Sequence, residues 1–369
     1  MRVMLVVNEF PPEKIAGTAM ATKALAEHLS GRGHNVCVLV TTPCPPEKQQ
    51  AIAAHDYQLV WCKKIPLRGL GWLWRLMQTL QHAKAFQPDV IQGQAVSCGL
   101  LAGVAGRVFG VASICYAQGY DVYQASWWQK KTEIRWGCRL PTRCLAVTQN
   151  LKQAILDIVD VPVSLMPHAF TLPALSQSRA QLRQQYGLQD DAKLVLNVAR
   201  LEDFKGQDVL LKAWVAIVAE NPKAKLWIAG IGSLEKTLKQ IVVTLGLQEN
   251  VKFLGFVSQA QVHALMEAAD LFVLPSREEP FGIVLLEAMA HGLPIVASKV
   301  GGIPEVLPSN DDVALVAADD VRALTQAMLI MLANNRLCDD NRVYALDFSW
   351  DKQVQRFEGL YTSLLERKQ

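Results

Sequence analysis

No CxxC pair, no HExxH and no apolar run long enough to cross a bilayer without interruption occurs in this chain of 369 residues. Each absence removes a class of protein. The eight cysteines sit mostly inside apolar stretches such as "NVCVLV" and "ASICYA", so they read as reduced core thiols, not disulfides or zinc ligands. The seven histidines show no ligand spacing either, and no metal site is expected. The opening "MRVMLVVNEFPP" holds too short an apolar run for a secretory signal and no small-residue cleavage site. Arg107 and repeated glycines interrupt "GQAVSCGLLAGVAGRVFGVASICYA", which reads as a buried helix followed by a strand. The expectation is a cytoplasmic protein.

Strong charge of one sign is also missing: the net charge is +3, and no nucleic-acid partner is expected. The balance is uneven, however. Through residue 170 there are 17 Lys+Arg and 10 Asp+Glu, giving +7; the remainder holds 20 and 24, giving −4. A basic first half suits an anionic acceptor or a membrane surface; ordinary surface charge is the alternative.

Apolar strands alternating with helical segments make up what is there. "VMLVVN", "NVCVLVT", "DVIQGQ", "ASICYA", "RCLAVT" and "VSLMPHA" read as strands of a first half. "KLVLNVAR", "AKLWIAG", "VKFLGFV", "LFVLPS" and "PIVAS" read as strands of a second. Continuous Val/Ile/Leu runs between helices imply parallel sheets covered on both faces. The polar, turn-rich residues 171–192 separate the halves, giving domains at 1–170 and 193–350, a linker between them, and a final helix over 351–369. Two doubly wound α/β domains of this kind leave a cleft for ligands at the carboxyl ends of their strands.

The loops after those strands carry the chemistry. In "NVARLEDFKGQD", Arg200 and Lys205 suit a diphosphate, Arg as a fork of donors and Lys as a point charge; two solvated cations are the alternative. Gly230 and Gly232 in "IAGIGSLE" let backbone approach something closely, or form a plain turn. In "SREEPFGIVLLEAMAHG", Gly282 precedes a helix whose first free N–H groups belong to Ile283 and Val284, a start that favours an anion. Glu287 lies in the second turn, where a carboxylate can take a ribose diol. Helix capping is a serious reading of Glu279, and Glu278 reads as solvated. In the first half, Ala16-Gly17-Thr18 forms a small-residue loop that can cradle a phosphate or let an acceptor sit close, Thr18 being a candidate N-cap; a simple loop-to-helix turn is the alternative.

Together these segments resemble the GT-B glycosyltransferases of family 4, the retaining group 1 enzymes. Glu279 and Glu287 meet the E-x7-E pattern, "VARLEDFKG" is similar to R-x4-K-G, "IAGIGS" to the G-x-G, and "FSWDKQVQRFEGLY" to a C-terminal helix crossing back to the first domain. The resemblance implies two Rossmann-like domains and transfer of a sugar, with retention, from a UDP- or GDP-sugar to a glycan or lipid-linked hydroxyl, as in cell-surface polysaccharide or lipopolysaccharide synthesis. It also implies no required cofactor: Arg200 and Lys205 would hold the diphosphate, Ile283 and Val284 would help, Glu287 would take the ribose and Glu279 the sugar. Phe256 and Phe281 would lie near the donor.

Three departures stand in the first domain. Ala16-Gly17 replaces the family's glycine pair, Pro167-His168-Ala169 replaces "PNG", and Gln118 stands where members carry His, beside Gly119 and Asp121. A glutamine cannot serve as an acid or base, so a catalytically silent nucleotide-sugar-binding subunit is a second reading. A related epimerase or phosphorylase, or a two-carboxylate glycosidase, fits the segments less well. Finally, "KKIPLRGLGWLWRLMQ" and "WWQKKTEIRWGCR" interleave Trp with Lys and Arg. They suggest peripheral contact with the cytoplasmic face of an inner membrane; the alternatives are core tryptophans with solvated cations, or an aromatic floor for a sugar.

Overall fold

The computed structural model describes residues 1–11, 17–44, 55–63, 71–171, 177–189, 191–334 and 337–366. The chain forms two compact units, one from residues 1–169 with 349–369 and one from residues 170–348.

The first unit is built on a seven-stranded parallel sheet. Its strands are β1 (Arg2–Val7), β2 (Asn35–Val40), β3 (Gln58–Trp61), β4 (Val90–Gly93), β5 (Ala112–Ala117), β6 (Arg143–Ala146) and β7 (Val163–Leu165), in the order β3-β2-β1-β4-β5-β6-β7. The central strands are buried on both faces, as their largely apolar sequences imply. β3 escapes the sequence reading because "QLVW" is a four-residue edge strand, mostly only half-buried. The final helix, Trp350–Glu366, belongs to this unit. Its buried Tyr361 hydroxyl donates to Gln92 Oε1 at 2.8 Å, His28 stacks on Trp350, and Glu358 accepts from Arg32 Nε at 2.9 Å.

The second unit carries β8 (Leu194–Val198), β9 (Lys225–Ala229), β10 (Val251–Gly255), β11 (Leu271–Leu274), β12 (Ile295–Ser298) and β13 (Val313–Val316), all parallel, in the order β10-β9-β8-β11-β12-β13. β13 is again a short edge strand absent from the sequence reading. Part of the stretch read as a linker is helical: Arg179–Gln185, opened by a Ser178–Gln181 capping box. Arg179 and Arg183 both bind the Asp270 carboxylate, at 2.7 and 3.1 Å, which ties this helix to the second unit. Its mostly polar sequence conceals it: Leu182 is its one buried residue, and the two arginines supply the ion pairs.

In each sheet the strand order reverses once, at β1/β4 and at β8/β11. Loops leaving the strands on either side of such a point diverge and open a crevice at their carboxyl ends.

Candidate functional site

In the second unit the loops after β8, β9, β11 and β12 are locked together by backbone contacts. Gly230 has φ 143°, and a Cβ there would stand 1.9 Å from the Ala199 carbonyl oxygen; one on Gly232 would stand 2.3 Å from that of Leu201. Their glycines are therefore required by a close approach, but the approaching group is the neighbouring loop. Gly301 (φ 52°) is pressed in the same way against the Glu279 carbonyl oxygen, which also accepts from the Gly302 N–H at 2.9 Å. Arg277, not singled out from sequence, anchors this group. Its guanidinium reaches Asp208 at 2.9 Å and Asp319 at 2.8 Å, and those carboxylates hold it above the ordinary arginine value.

Lys205 and Glu279 meet within this framework. Lys205 ends the 3-10 turn Asp203–Lys205 after β8, and its Nζ donates to Glu279 Oε2 at 2.6 Å, with both residues buried. Arg200 is exposed, its guanidinium 5.1 Å from the centroid of the Phe204 ring. Glu278 is exposed as well. Gly282 (φ 85°) turns the chain into the helix Ile283–Ala290, whose first turn has no side-chain cap. Ile283 and Val284 therefore open an eight-residue helix in the loop after β11, next to the strand that leads to Lys205. In the same segments Ser276 Oγ and Gln207 Oε1 are buried without a hydrogen-bond partner among the described residues.

Glu287, one turn further along this helix, is buried, and burial pushes its carboxyl up to about 7. Gln259 Nε2 donates to its Oε1 at 2.5 Å. Behind Gln259 runs a relay that sequence reading missed: Gln259 to His263 at 3.2 Å, His263 to His291 at 2.9 Å, and His291 to Glu267 at 2.8 Å. Burial and the adjacent His291 push His263 down to about 4; burial also lowers His291. The clue was the four-residue spacing of Gln259 and His263, which shares one helix face. Phe256 follows β10 and is exposed, whereas Phe281 is buried with its ring edge-on to Phe348 at 6.2 Å.

The first unit brings Gln118, Gly119 and Asp121 to the end of β5. Gln118 Nε2 donates to Gln94 Oε1 at 2.9 Å, joining the loops after β5 and β4 through a buried amide pair. Asp121 is half-buried, and its two oxygens accept from the Val96 N–H at 2.7 Å and the Gly119 N–H at 3.0 Å. It thereby caps the helix Val96–Phe109, whose own N-cap residue, Ala95, supplies no side-chain bond. Burial raises the Asp121 carboxyl against the lowering effect of those two donors. Thr18, expected as an N-cap, lies inside the first turn of helix Gly17–Gly31, which starts two residues earlier than that reading requires. Outside its chain neighbours and its own helix backbone, no described atom lies within 4 Å of where a Gly17 Cβ would stand. Ala16 lies outside the described residues.

Among cysteines, Cys115, Cys138 and Cys144 bring their sulfurs within 4.8 Å of one another in the core of this unit, a convergence that no CxxC spacing announced. No helix among the described residues is long and apolar enough to cross a membrane.

A family model described as "Glycosyl transferases group 1" matches residues 178–346, and one described as "Glycosyltransferase Family 4" matches residues 15–170. An uncharacterized glycosyltransferase of Methanocaldococcus jannaschii is 28% identical over 99% of this chain and 99% of its own. A GDP-mannose-dependent monoacylated alpha-(1-6)-phosphatidylinositol monomannoside mannosyltransferase of Corynebacterium glutamicum is 26% identical, covering 90% of this chain and 88% of its own. The structure of Anabaena Alr3699/HepE in complex with UDP and glucose matches with a TM-score of 0.80 at 21% identity, over 98% of this chain and 100% of that one. At that identity the likeness is one of fold.

Proposed function

Because the chain belongs to the group 1 glycosyltransferases of GT-B fold, we propose that it moves a sugar, with retention and without a required metal, from a UDP- or GDP-sugar to a hydroxyl of a glycan or lipid-linked acceptor. The observation that carries this reading is the buried Lys205–Glu279 pair at the reversal point of the second sheet, beside a helix start led by Gly282. An ammonium has three donors, so its bond to Glu279 does not by itself exclude a diphosphate oxygen. Arg200, Lys205 and the N–H groups of Ile283 and Val284 would neutralise the charge that develops on the departing diphosphate. Glu287 would accept the ribose hydroxyls and Glu279 the sugar's.

In this reaction the bond from the anomeric carbon to the diphosphate breaks as a bond to the acceptor oxygen forms on the same face. The acceptor proton passes to the departing phosphate oxygen. No protein base is required, which is compatible with Gln118 in place of an acid or base. Two relatives support the substrate classes, one named for GDP-mannose and a phosphatidylinositol mannoside and one solved with UDP and glucose.

A thermal-shift screen against UDP, GDP, ADP and their sugars tests the donor. The matching nucleotide should raise Tm as its site saturates, by about 2.7 kcal/mol of stability at a hundredfold excess over Kd. No response to any nucleotide would refute the reading. Turnover of the responding donor then separates an enzyme from a silent binding subunit.

A further inference from the structure

Residues 127–139 of the first unit form one continuous helical segment, with α-turns at Trp127–Gln129 and Arg135–Arg139 flanking a π-turn at Lys130–Ile134. Its inner face is fixed. Ile134, Gly137 and Cys138 are buried, and a Cβ on Gly137 would stand 2.3 Å from the Val96 carbonyl oxygen. The segment is thus pressed backbone-to-backbone on helix Val96–Phe109, and rotation cannot bury its other side.

That other side carries Trp127 at 58%, Trp128 at 69% and Trp136 at 49% exposure. Lys130, Lys131, Arg135 and Arg139 are exposed with them, against the single half-buried acid Glu133. The two leading rings meet edge-on at 4.7 Å, and Lys131 Nζ lies 4.1 Å over the Trp127 ring. Helix Gly71–Phe86 packs on the same helix Val96–Phe109 and exposes Trp72 and Met77. Tryptophans left this open are not core residues, contrary to one alternative raised by the sequence.

We infer that the outer face of Trp127–Arg139 docks on an anionic lipid bilayer. An indole has an apolar body and one N–H donor, which suits the boundary between headgroups and acyl chains, and cations beside it meet the lipid phosphates. A second copy of this face would bring like charges together. A glycan platform would place its rings in a concavity, whereas these stand on the outer side of a packed helix. Docking does not depend on the transfer reaction, because it is measured without donor or acceptor.

The test is flotation of the full-length protein with vesicles of phosphatidylcholine alone and of phosphatidylcholine with phosphatidylglycerol. The wild type is expected to float with the anionic vesicles at low salt and to be released at about 1 M salt, where the screening length falls to roughly 3 Å. Each basic side chain near such a surface contributes about fivefold, so Lys131→Glu/Arg135→Glu/Arg139→Glu should lower partitioning by at least about a hundredfold. Trp127→Ser/Trp128→Ser should also abolish flotation at low salt, with Tm unchanged because both residues are exposed. Three results would each overturn the inference: no flotation of the wild type, flotation of either variant like wild type, or equal binding to neutral vesicles. Concentration-dependent self-association that the tryptophan variant loses would assign the face to a second copy instead.

Discussion

Lys205 and Glu279 are 74 positions apart in sequence, yet the ammonium of one donates to the carboxylate of the other at 2.6 Å inside the second unit. The two residues read from sequence as separate donor contacts are partners of each other. Loops after adjacent strands β8 and β11 deliver them, so the pair also ties the two sides of the crevice together.

Removing one partner leaves the other charge buried. Lys205→Ala is expected to lower stability by about 3–5 kcal/mol, whereas replacing both residues with apolar ones of similar size should recover most of that. Urea unfolding of the two variants checks this, and equal losses would show that the pair is not the source. Neither variant should respond to the nucleotide that stabilises the wild type.

Glu287 makes stability depend on pH. Its carboxyl is raised from 4.5 to about 7, so between those values the folded state keeps a proton that the unfolded chain has released. The contribution is complete below about 4.5 and is lost as pH rises to about 7, a change of roughly 3 kcal/mol at 1.36 kcal/mol per unit. Glu287→Gln should match the wild type at low pH and exceed it at pH above about 7. Nucleotide affinity should rise with pH through the same window, since the ionised form accepts both ribose hydroxyls, and should lose that rise in the variant. Paired melts and nucleotide titrations across pH give both readouts.

Asp121 is expected to act through architecture. Asp121→Ala would strip acceptors from the Val96 and Gly119 N–H groups, at about 1–3 kcal/mol for each one left unsatisfied. Hydrogen exchange should speed first at the start of helix Val96–Phe109. A variant of full stability would show that those N–H groups find other partners.

Two glycines should respond in opposite ways. A Cβ at Gly301 would collide with the Glu279 carbonyl oxygen, so Gly301→Ala should lose about 1–3 kcal/mol of stability and weaken donor binding. Gly17→Ala meets no described atom outside its chain neighbours and its own helix backbone, and its melting temperature should hold. If substrate approaches that loop, kcat/KM falls nonetheless; unchanged kinetics would remove Gly17 from the site.

Where a signal was local, the sequence was readable. Central strands such as "VMLVV" and "LFVL" declare themselves by unbroken apolar runs, because both faces are buried. "QLVW" and "VALV" did not, since edge strands of four residues expose part of a face. At the G-x-G of Gly230 and Gly232 the close approach seen is to the loop of Ala199 and Leu201, a partner the spacing could not name. Pairings such as Gln259 with Glu287, or Gln118 with Gln94, depend on how loops from different strands meet. Spacing along the chain carries no record of that.

The helix Trp350–Glu366 completes the first unit, although residues 170–348 of the second lie between it and the rest of that unit. A ribosome therefore makes the sheet of the first unit long before the helix that covers its Gln92 side chain and meets its His28 ring. During that interval the apolar faces of Phe357 and Tyr361 have not been made, and their future contacts stay open to solvent or to a chaperone. The second unit, continuous in sequence, has no such wait. Synthesis order thus favours the proposed donor half as the first to reach its final fold.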